Sequence, residues 1–173
     1  MSQWFMLSVV GKDRPGIVAA ISQALLAGGC PLGEASMVRL GGNFTILLMV
    51  AHDGDEASLR ALVAPVTDRL GLRLHVDRID GELHHHHSPD VRISVHGADR
   101  PGIVARVTGA LAEAGLDILD LESDVAGSSE KPIYIMQIEG VAQRGVEALE
   151  AALDSVRGEG IEARLEHIET MIG

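Results

Sequence analysis

Residues 11–18 and 97–104 contain side chains that could bind a small charged molecule. The two stretches read GKDRPGIV and GADRPGIV. An aspartate carboxylate can accept hydrogen bonds from an ammonium group, and an arginine guanidinium can donate two parallel hydrogen bonds to a carboxylate. A molecule that carries both groups, such as a free amino acid, therefore suits either stretch. The charged candidates are Lys12, Asp13, Arg14, Asp99 and Arg100.

Each stretch also precedes an apolar run that predicts a helix. The first turn of a helix has backbone N–H groups without intrahelical partners and a partial positive charge, so it can bind an anion. Glycine at this point lets a ligand approach the backbone closely. The uncharged candidates are Gly11, Gly16, Ile17, Gly97, Gly102 and Ile103. Asp-Arg-Pro-Gly is equally consistent with a turn that has no ligand, because proline and glycine are common in turns.

The first copy of the repeat predicts the element order βαββαβ. Proline suits the first position of a helix, so we expect the first helix to begin at Pro15. Gly28 and Gly29 predict its end, and Gly41-Gly42 predicts a hairpin. Strands are predicted over 2–10, 32–40, 44–51 and 72–76, and a second helix carries Leu59, Leu62, Val63, Val66 and Leu70.

The second copy repeats this order. A helix is predicted from Pro101 to about Ala114, and the hairpin loop is predicted to be longer, over 126–132. The order is that of the ferredoxin-like fold, an α+β arrangement in which two helices cover one face of an antiparallel sheet. We expect domains at 1–79 and 91–173, joined by a histidine-containing linker at 80–90. Strands are predicted over 91–96, 116–126, 133–139 and 161–168, and the last helix carries Val146, Leu149, Leu153 and Val156.

The two predicted sheets differ in their second face. Residues 91–96 alternate between apolar and polar, which is typical of a sheet with one face in water. In the first copy, residues 5–7 and 46–49 are apolar on both faces. Two helices cover only one face, so we expect another sheet or another subunit to cover Leu47 and Met49. The protein is therefore predicted to form a homo-oligomer.

The repeated unit resembles an ACT domain. The matching pieces are GKDRPGIV with GGCPL, and GADRPGIV with AGLDI. Two such units, with LGGNFTILLMV in the first, resemble the tandem-ACT group of glycine cleavage system transcriptional repressors. The resemblance implies a regulatory module that binds a small effector, usually an amino acid, between paired domains. It implies ligand contacts from 11–17, 97–103, 30–32 and 116–118.

The chain departs from this family at the start of the second strand. ACT domains often have asparagine there, whereas this chain has Pro31 and Asp117. Proline has neither a polar side chain nor an N–H group. Asp117 could accept a hydrogen bond from an ammonium group. We therefore expect a ligand site that uses the second loop and Asp117.

Composition excludes several classes of function. The net charge is −11 and lysine and arginine form no cluster, so direct binding to nucleic acid is not expected. Cys30 is the only cysteine, which excludes an internal disulfide and fits a reducing compartment. No signal sequence and no long apolar segment is present, so we expect a cytoplasmic protein that does not bind membranes.

Neither a catalytic centre nor a cofactor site is predicted. His84 to His87 lack the spacing of a metal site, and Cys30 is expected to be a buried structural thiol. An acylphosphatase-like hydrolase remains an alternative, since Arg14 or Arg100 and Asn43 are its required residue types. The preferred interpretation is a regulatory protein that binds an amino acid and acts through a protein partner or self-association. A module that only mediates protein interactions is the other alternative.

Overall fold

The computed structural model describes residues 2–80, 87–98 and 101–169. The chain forms two compact units, and each contains one four-stranded antiparallel sheet and two helices in the order βαββαβ. The prediction of two ferredoxin-like α+β units is confirmed. His84 to His86 and the first part of the predicted linker lie outside the described residues, so the linker boundaries stay a prediction.

The first unit has the strand order β2-β3-β1-β4. Gly41 and Gly42 have φ angles of 56° and 75°, which is the left-handed geometry that a tight hairpin between β2 and β3 requires. The first unit consists of β1 (Gln3–Lys12), α1 (Ile17–Ala27), β2 (Leu32–Leu40), β3 (Asn43–His52), α2 (Glu56–Arg69) and β4 (Arg73–Arg78).

The second unit has the equivalent strand order, β6-β7-β5-β8. It consists of β5 (Val91–Ala98), α3 (Ile103–Glu113), β6 (Leu116–Ser128), β7 (Lys131–Ala142), α4 (Val146–Arg157) and β8 (Glu162–His167). Of the described helices, none is long and apolar enough to cross a membrane.

Helical and strand periodicities meet in each core. In α1, Ile17, Ile21 and Leu25 are spaced four residues apart and are buried, as are Ile103, Val107 and Leu111 in α3. The α1 residues share a core with Phe5, Leu7 and Val9 of β1, and the α3 residues share a separate core with Val91, Ile93 and Val95 of β5. Each such side chain stabilises the fold by about 1.5–3 kcal/mol relative to its exposed state.

Two details of the prediction were wrong. The helices begin at Ile17 and Ile103, two residues after Pro15 and Pro101, because the intervening glycines have left-handed φ angles of 89° and 87°. The second hairpin also has a shorter loop than predicted, since Ser128 pairs with Lys131. Gly127 is in the left-handed region within β6, so small and polar residues that indicated a loop are part of the strand ladder.

The predicted difference between the sheets is present in the structure. Val91, Ile93 and Val95 are fully buried, Arg92 and His96 are exposed, and Ser94 is half-buried. In the first unit, Leu47 is 41% exposed and Met49 is half-buried. The other described elements of the first unit leave Leu47 partly exposed, and its cover by another sheet or another subunit stays a prediction.

Candidate functional site

Helices α1 and α3 both begin without a side-chain cap. The N-cap residues are Gly16 and Gly102, neither helix has an acidic residue in its first turn, and neither start has a capping side-chain hydrogen bond. The Gly16 and Gly102 carbonyls accept the first helical hydrogen bonds, from the N–H groups of Ala20 and Arg106. The partial positive charge of each helix start is therefore not compensated by the helix itself.

An ion pair lies beside the start of α1. Asp13 Oδ2 is 3.0 Å from Arg39 Nε, and the Arg39 side chain is 65% exposed. Asp13, Arg39 and the first turn of α1 line a shallow depression of about 370 Å³, which Met37 and Val18 also line. The depression thus has a carboxylate, a guanidinium and a helix start, the groups that complement a zwitterion.

Arg14 has a structural contact instead of an open position. Its guanidinium Nη2 donates a hydrogen bond of 2.8 Å to the carbonyl oxygen of Leu70, the C-cap residue of α2. A cation at this position stabilises the negative end of the helix. Arg14 therefore holds the loop to α2, although it also lines the depression.

The four loop glycines meet two different structural requirements, close packing at two positions and a positive φ angle at the other two. At Gly11, a Cβ would lie 2.5 Å from Leu72 Cδ2, and at Gly97 it would lie 3.2 Å from Ile103 Cδ1, so these residues allow close packing. At Gly16 and Gly102, a Cβ would have nothing within 4 Å. These two are required by their positive φ angles, and the space around them is open to a ligand.

The second unit has a depression of about 420 Å³ at the start of α3. Its lining includes Gly102 and an ion pair in which Arg106 Nε donates to Glu159 Oε1 at 2.8 Å. Arg106 Nη2 also donates to Ser155 Oγ at 3.1 Å. Asp99 and Arg100 lie outside the described residues, so their role in this loop stays a prediction.

Asp117 and the second loop lie at opposite ends of the same sheet. Asp117 pairs with Val141 at one end of β7, whereas Gly97 pairs with Tyr134, which pairs with Val125 of β6. Eight residues of strand separate Asp117 from the level of the loop, which is about 25 Å. Pro31 has the equivalent position before β2, so neither residue belongs to the loop site of its own unit.

Three charged residues of the two depressions, Arg39, Arg106 and Glu159, were absent from the sequence prediction. Arg39 pairs with Phe44, which pairs with Gly11, so the end of β2 lies beside the first loop. The predicted strand order would have placed Arg39 there. Arg106 and Glu159 were missed because no sequence pattern connects α3 with the residues that follow α4.

Cys30 belongs to a hydrogen-bonded cluster that explains its burial. Its Sγ is 3.5 Å from His52 Nδ1, and His52 Nε2 is 2.8 Å from Ser58 Oγ. Ser58 Oγ donates to the carbonyl oxygen of Asp55, so His52 Nε2 donates to Ser58. Burial, and then the charge of Asp53, raises the pKa of the Cys30 thiol. A protonated thiol is a poor nucleophile, which supports the structural role predicted for Cys30.

The described residues contain no group of three or more histidine, cysteine, aspartate or glutamate side chains that could hold a metal ion. His87 is the described member of the histidine run and is exposed.

Comparison with known families gives a match to each unit. ACT domain family models match residues 3–77 and residues 91–158. The chain belongs to the ACT domain family. One match falls in each βαββαβ unit, and the second match ends before β8, so this is a tandem-ACT chain.

Individual relatives point to regulators. The chain is 24% identical over 121 residues to the glycine cleavage system transcriptional repressors of Escherichia coli (strain K12) and Shigella flexneri. The match includes 69% of this chain but only 64% of the relatives. An unknown protein from Galdieria sulphuraria is 26% identical, with a TM-score of 0.76 over 98% of this chain and 100% of that one.

A second solved structure, of a candidate glycine cleavage system transcriptional repressor, shows the same fold. It has a TM-score of 0.72 and 17% identity over 98% of this chain and 99% of that chain. The family match and the two solved structures show a tandem-ACT chain with the fold of these proteins.

Proposed function

We propose that this tandem-ACT chain is a sensor of a free amino acid, which binds at the depression beside the start of α1. The observation that carries the proposal is the position of the Asp13–Arg39 ion pair next to an uncapped helix start. The carboxylate of the ligand accepts hydrogen bonds from the first-turn N–H groups and from Arg39. Its ammonium group donates to Asp13.

The ion pair does not oppose ligand binding strongly. The Arg39 side chain is 65% exposed, whereas that of Asp13 is 25% exposed. Solvent screens the Arg39 side of the pair, so Arg39 can turn to a ligand at small cost. Asp13 can keep its position and accept a charge-assisted hydrogen bond from the ammonium group of the ligand. The α-substituent of the amino acid faces Val18 and Met37, so the site favours a small or apolar side chain.

We propose a second site that uses the loop at 97–103 and Asp117. These residues lie about 25 Å apart within one unit, by the rise of the strand between them. A ligand that contacts both must therefore bind where two copies of the chain meet, with the loop from one copy and Asp117 from the other. Such a ligand stabilises the associated form, which is how binding becomes a regulatory signal.

The signal passes, in this proposal, to a protein partner or into self-association. The similarity to glycine cleavage system transcriptional repressors supports a role in the transcriptional control of amino-acid metabolism. The net charge of −11 favours a protein partner over direct contact with nucleic acid.

Thermal unfolding of the full chain with a panel of amino acids tests the sensor proposal. A ligand at about 100 times its Kd stabilises the folded state by about 2.7 kcal/mol. For a chain of this size the midpoint rises by at least about 5 °C. Asp13→Asn keeps the side-chain size and removes the charge, so we expect it to abolish the shift from the first site. Asp68→Asn is the charge-matched control, because Asp68 is exposed and outside both depressions.

The variants also separate the two sites. If Asp117→Ala abolishes the shift and Asp13→Asn does not, the second site binds the ligand and the first does not. If neither variant reduces a shift that wild type shows, both proposed sites are wrong.

A module that only mediates protein interactions is the second candidate. The observation in its favour is that Asp13 and Arg14 both have partners within their own unit, Arg39 and the Leu70 carbonyl. If no amino acid raises the midpoint, this second function replaces the sensor.

A further inference from the structure

The face of the first sheet that points away from α1 and α2 carries exposed apolar side chains. We call it the open face of the first unit. Its apolar residues are Trp4, Met6 and Val10 of β1, Leu47 and Met49 of β3, and Val38 of β2, with Ser8, Ser36 and Thr45 between them. Met6 pairs with Met49 on the two central strands. Val38 is 54% exposed and Val10 is 40% exposed. Exposed apolar side chains that cluster in this way often mark an interaction site.

The corresponding face of the second sheet is charged where the open face of the first unit is apolar. Met6 pairs with Met49 in the first sheet, and the same two positions of the second sheet hold Arg92 and Glu139. Arg92 Nη2 lies 2.6 Å from Glu139 Oε1 in an exposed ion pair. The same backbone therefore has a charged cross-strand pair in one unit and two methionines in the other.

Charges at the edge of the open face identify the partner. On β4, Arg73 pairs with Val10, His75 with Ser8 and Asp77 with Met6, so all three lie on this face. His75 Nε2 contacts Asp77 Oδ1 at 3.1 Å. If a second copy stacks its open face on the first with the strands antiparallel, Arg73 of each copy lies opposite Asp77 of the other. The edge is thus complementary to itself.

We propose that the open face of the first unit is the interface of a symmetric homodimer, with Arg73 of each chain opposite Asp77 of the other. The contact joins two sheets face to face, in the aligned mode that sheet packing favours. The same surface patch on both chains makes the interface isologous, which is the commonest symmetry of homodimers. This proposal is independent of ligand binding, since its readout is assembly.

The size of the face limits the area that a dimer can bury. Four strands at about 4.8 Å spacing, each with about eight residues at about 3.3 Å, have a footprint of roughly 500 Å². Two such faces bury about 1,000 Å² in total, which is near the lower limit of a specific interface. We therefore expect a dimer that dissociates in the micromolar range of concentration.

Sedimentation velocity of the full chain over a concentration series tests the interface. The double variant Met6→Arg/Met49→Glu introduces the ion pair that the second sheet already contains, so the fold should tolerate it. We expect its dimer Kd to rise at least tenfold, while the far-UV circular dichroism spectrum stays that of wild type. The control is Leu26→Glu, because Leu26 is 78% exposed on α1, away from the open face.

Charge exchange tests the orientation. Arg73→Asp alone should weaken the dimer, because it places two acidic groups opposite each other, and adding Asp77→Arg should restore the wild-type Kd. A wild-type chain that stays monomeric at high micromolar concentration would overturn the proposal. So would a dimer that the Met6→Arg/Met49→Glu variant leaves unchanged, since another surface such as the edge strand β2 would then form it.

Discussion

Two glycine-to-alanine substitutions in α3, one at its N-cap and one in its interior, test why the repeated loop contains Pro-Gly before the helix. Gly102 is the N-cap of α3 and has a φ of 87°, and Gly109 lies inside the same helix. A Cβ at either position would have nothing within 4 Å outside its own helix, so neither substitution creates a clash. The two variants therefore differ in backbone conformation alone.

The expected changes in stability have opposite signs. An alanine in the left-handed conformation of Gly102 costs about 1–2 kcal/mol. Alanine at Gly109 stabilises the helix by about 0.5–1 kcal/mol, because glycine loses more backbone entropy there. The free energies of unfolding should differ by about 1.5–3 kcal/mol. For a domain of 60–100 residues, each kcal/mol is about 4–8 °C in Tm.

Thermal and urea unfolding of the full-length variants measure this difference. Tyr134 is the only tyrosine and lies in the second unit, so its near-UV signal reports on the unit that is changed. If Gly102→Ala is as stable as wild type, the left-handed cap is not a requirement of the fold. The glycine would then have to be explained by ligand access, and the structural reason given for it would be wrong.

Three further predictions concern packing and pH. Gly11→Ala should destabilise the first unit by about 1–3 kcal/mol, because its Cβ meets Leu72, whereas Gly97→Ala should cost less, as measured by urea unfolding. The pKa of the Cys30 thiol is raised in the folded state, so the fold favours the protonated thiol. This contribution to stability is fully present below the thiol's ordinary pKa and is lost as pH rises through the folded-state pKa. Cys30→Ala should therefore make the free energy of unfolding less dependent on pH in the alkaline range. Hydrogen bonds from Ser58 lower the pKa of Asp55. The Asp55 carboxylate therefore stabilises the fold above its ordinary pKa, and this contribution is lost as pH falls through the lowered value. Asp55→Ala should reduce Tm at neutral pH and make Tm less dependent on pH in the acid range.

The architecture could be predicted because its signals are local. Buried residues at helical spacing, such as Ile17, Ile21 and Leu25, indicate one face of a helix whatever surrounds them. The alternation of residues 91–96 indicates a strand with one wet face in the same way. Errors arose where backbone conformation decided the outcome. Pro15 is compatible with a helix start, but the left-handed Gly16 delays the helix to Ile17.

The candidate site was less predictable because its contacts are distant in sequence. The loop motif suggested that Arg14 would meet a carboxylate ligand, yet its partner is the Leu70 carbonyl, 56 residues away. The guanidinium beside Asp13 is that of Arg39, which comes from the far end of β2. Motif spacing cannot identify such partners, because they depend on which strand ends and helix ends the fold brings together.

The duplicated motif therefore predicts a backbone and does not by itself predict a ligand. Gly16 and Gly102 have the same left-handed cap, and both helices begin one residue later. The residue that lies beside each loop through the strand ladder is different: Arg39 in the first unit and Val125 in the second. The carboxylate of a ligand at the first loop could bind the Arg39 guanidinium, whereas the second loop has the apolar Val125 at that position. The sheet faces opposite the helices also differ between the units, with Met6 and Met49 in the first unit and the Arg92–Glu139 ion pair at the same positions of the second. Because the shared residues fix conformation and the differing residues face outward, each unit must be tested with its own variants. A ligand found at one loop is not evidence for a ligand at the other.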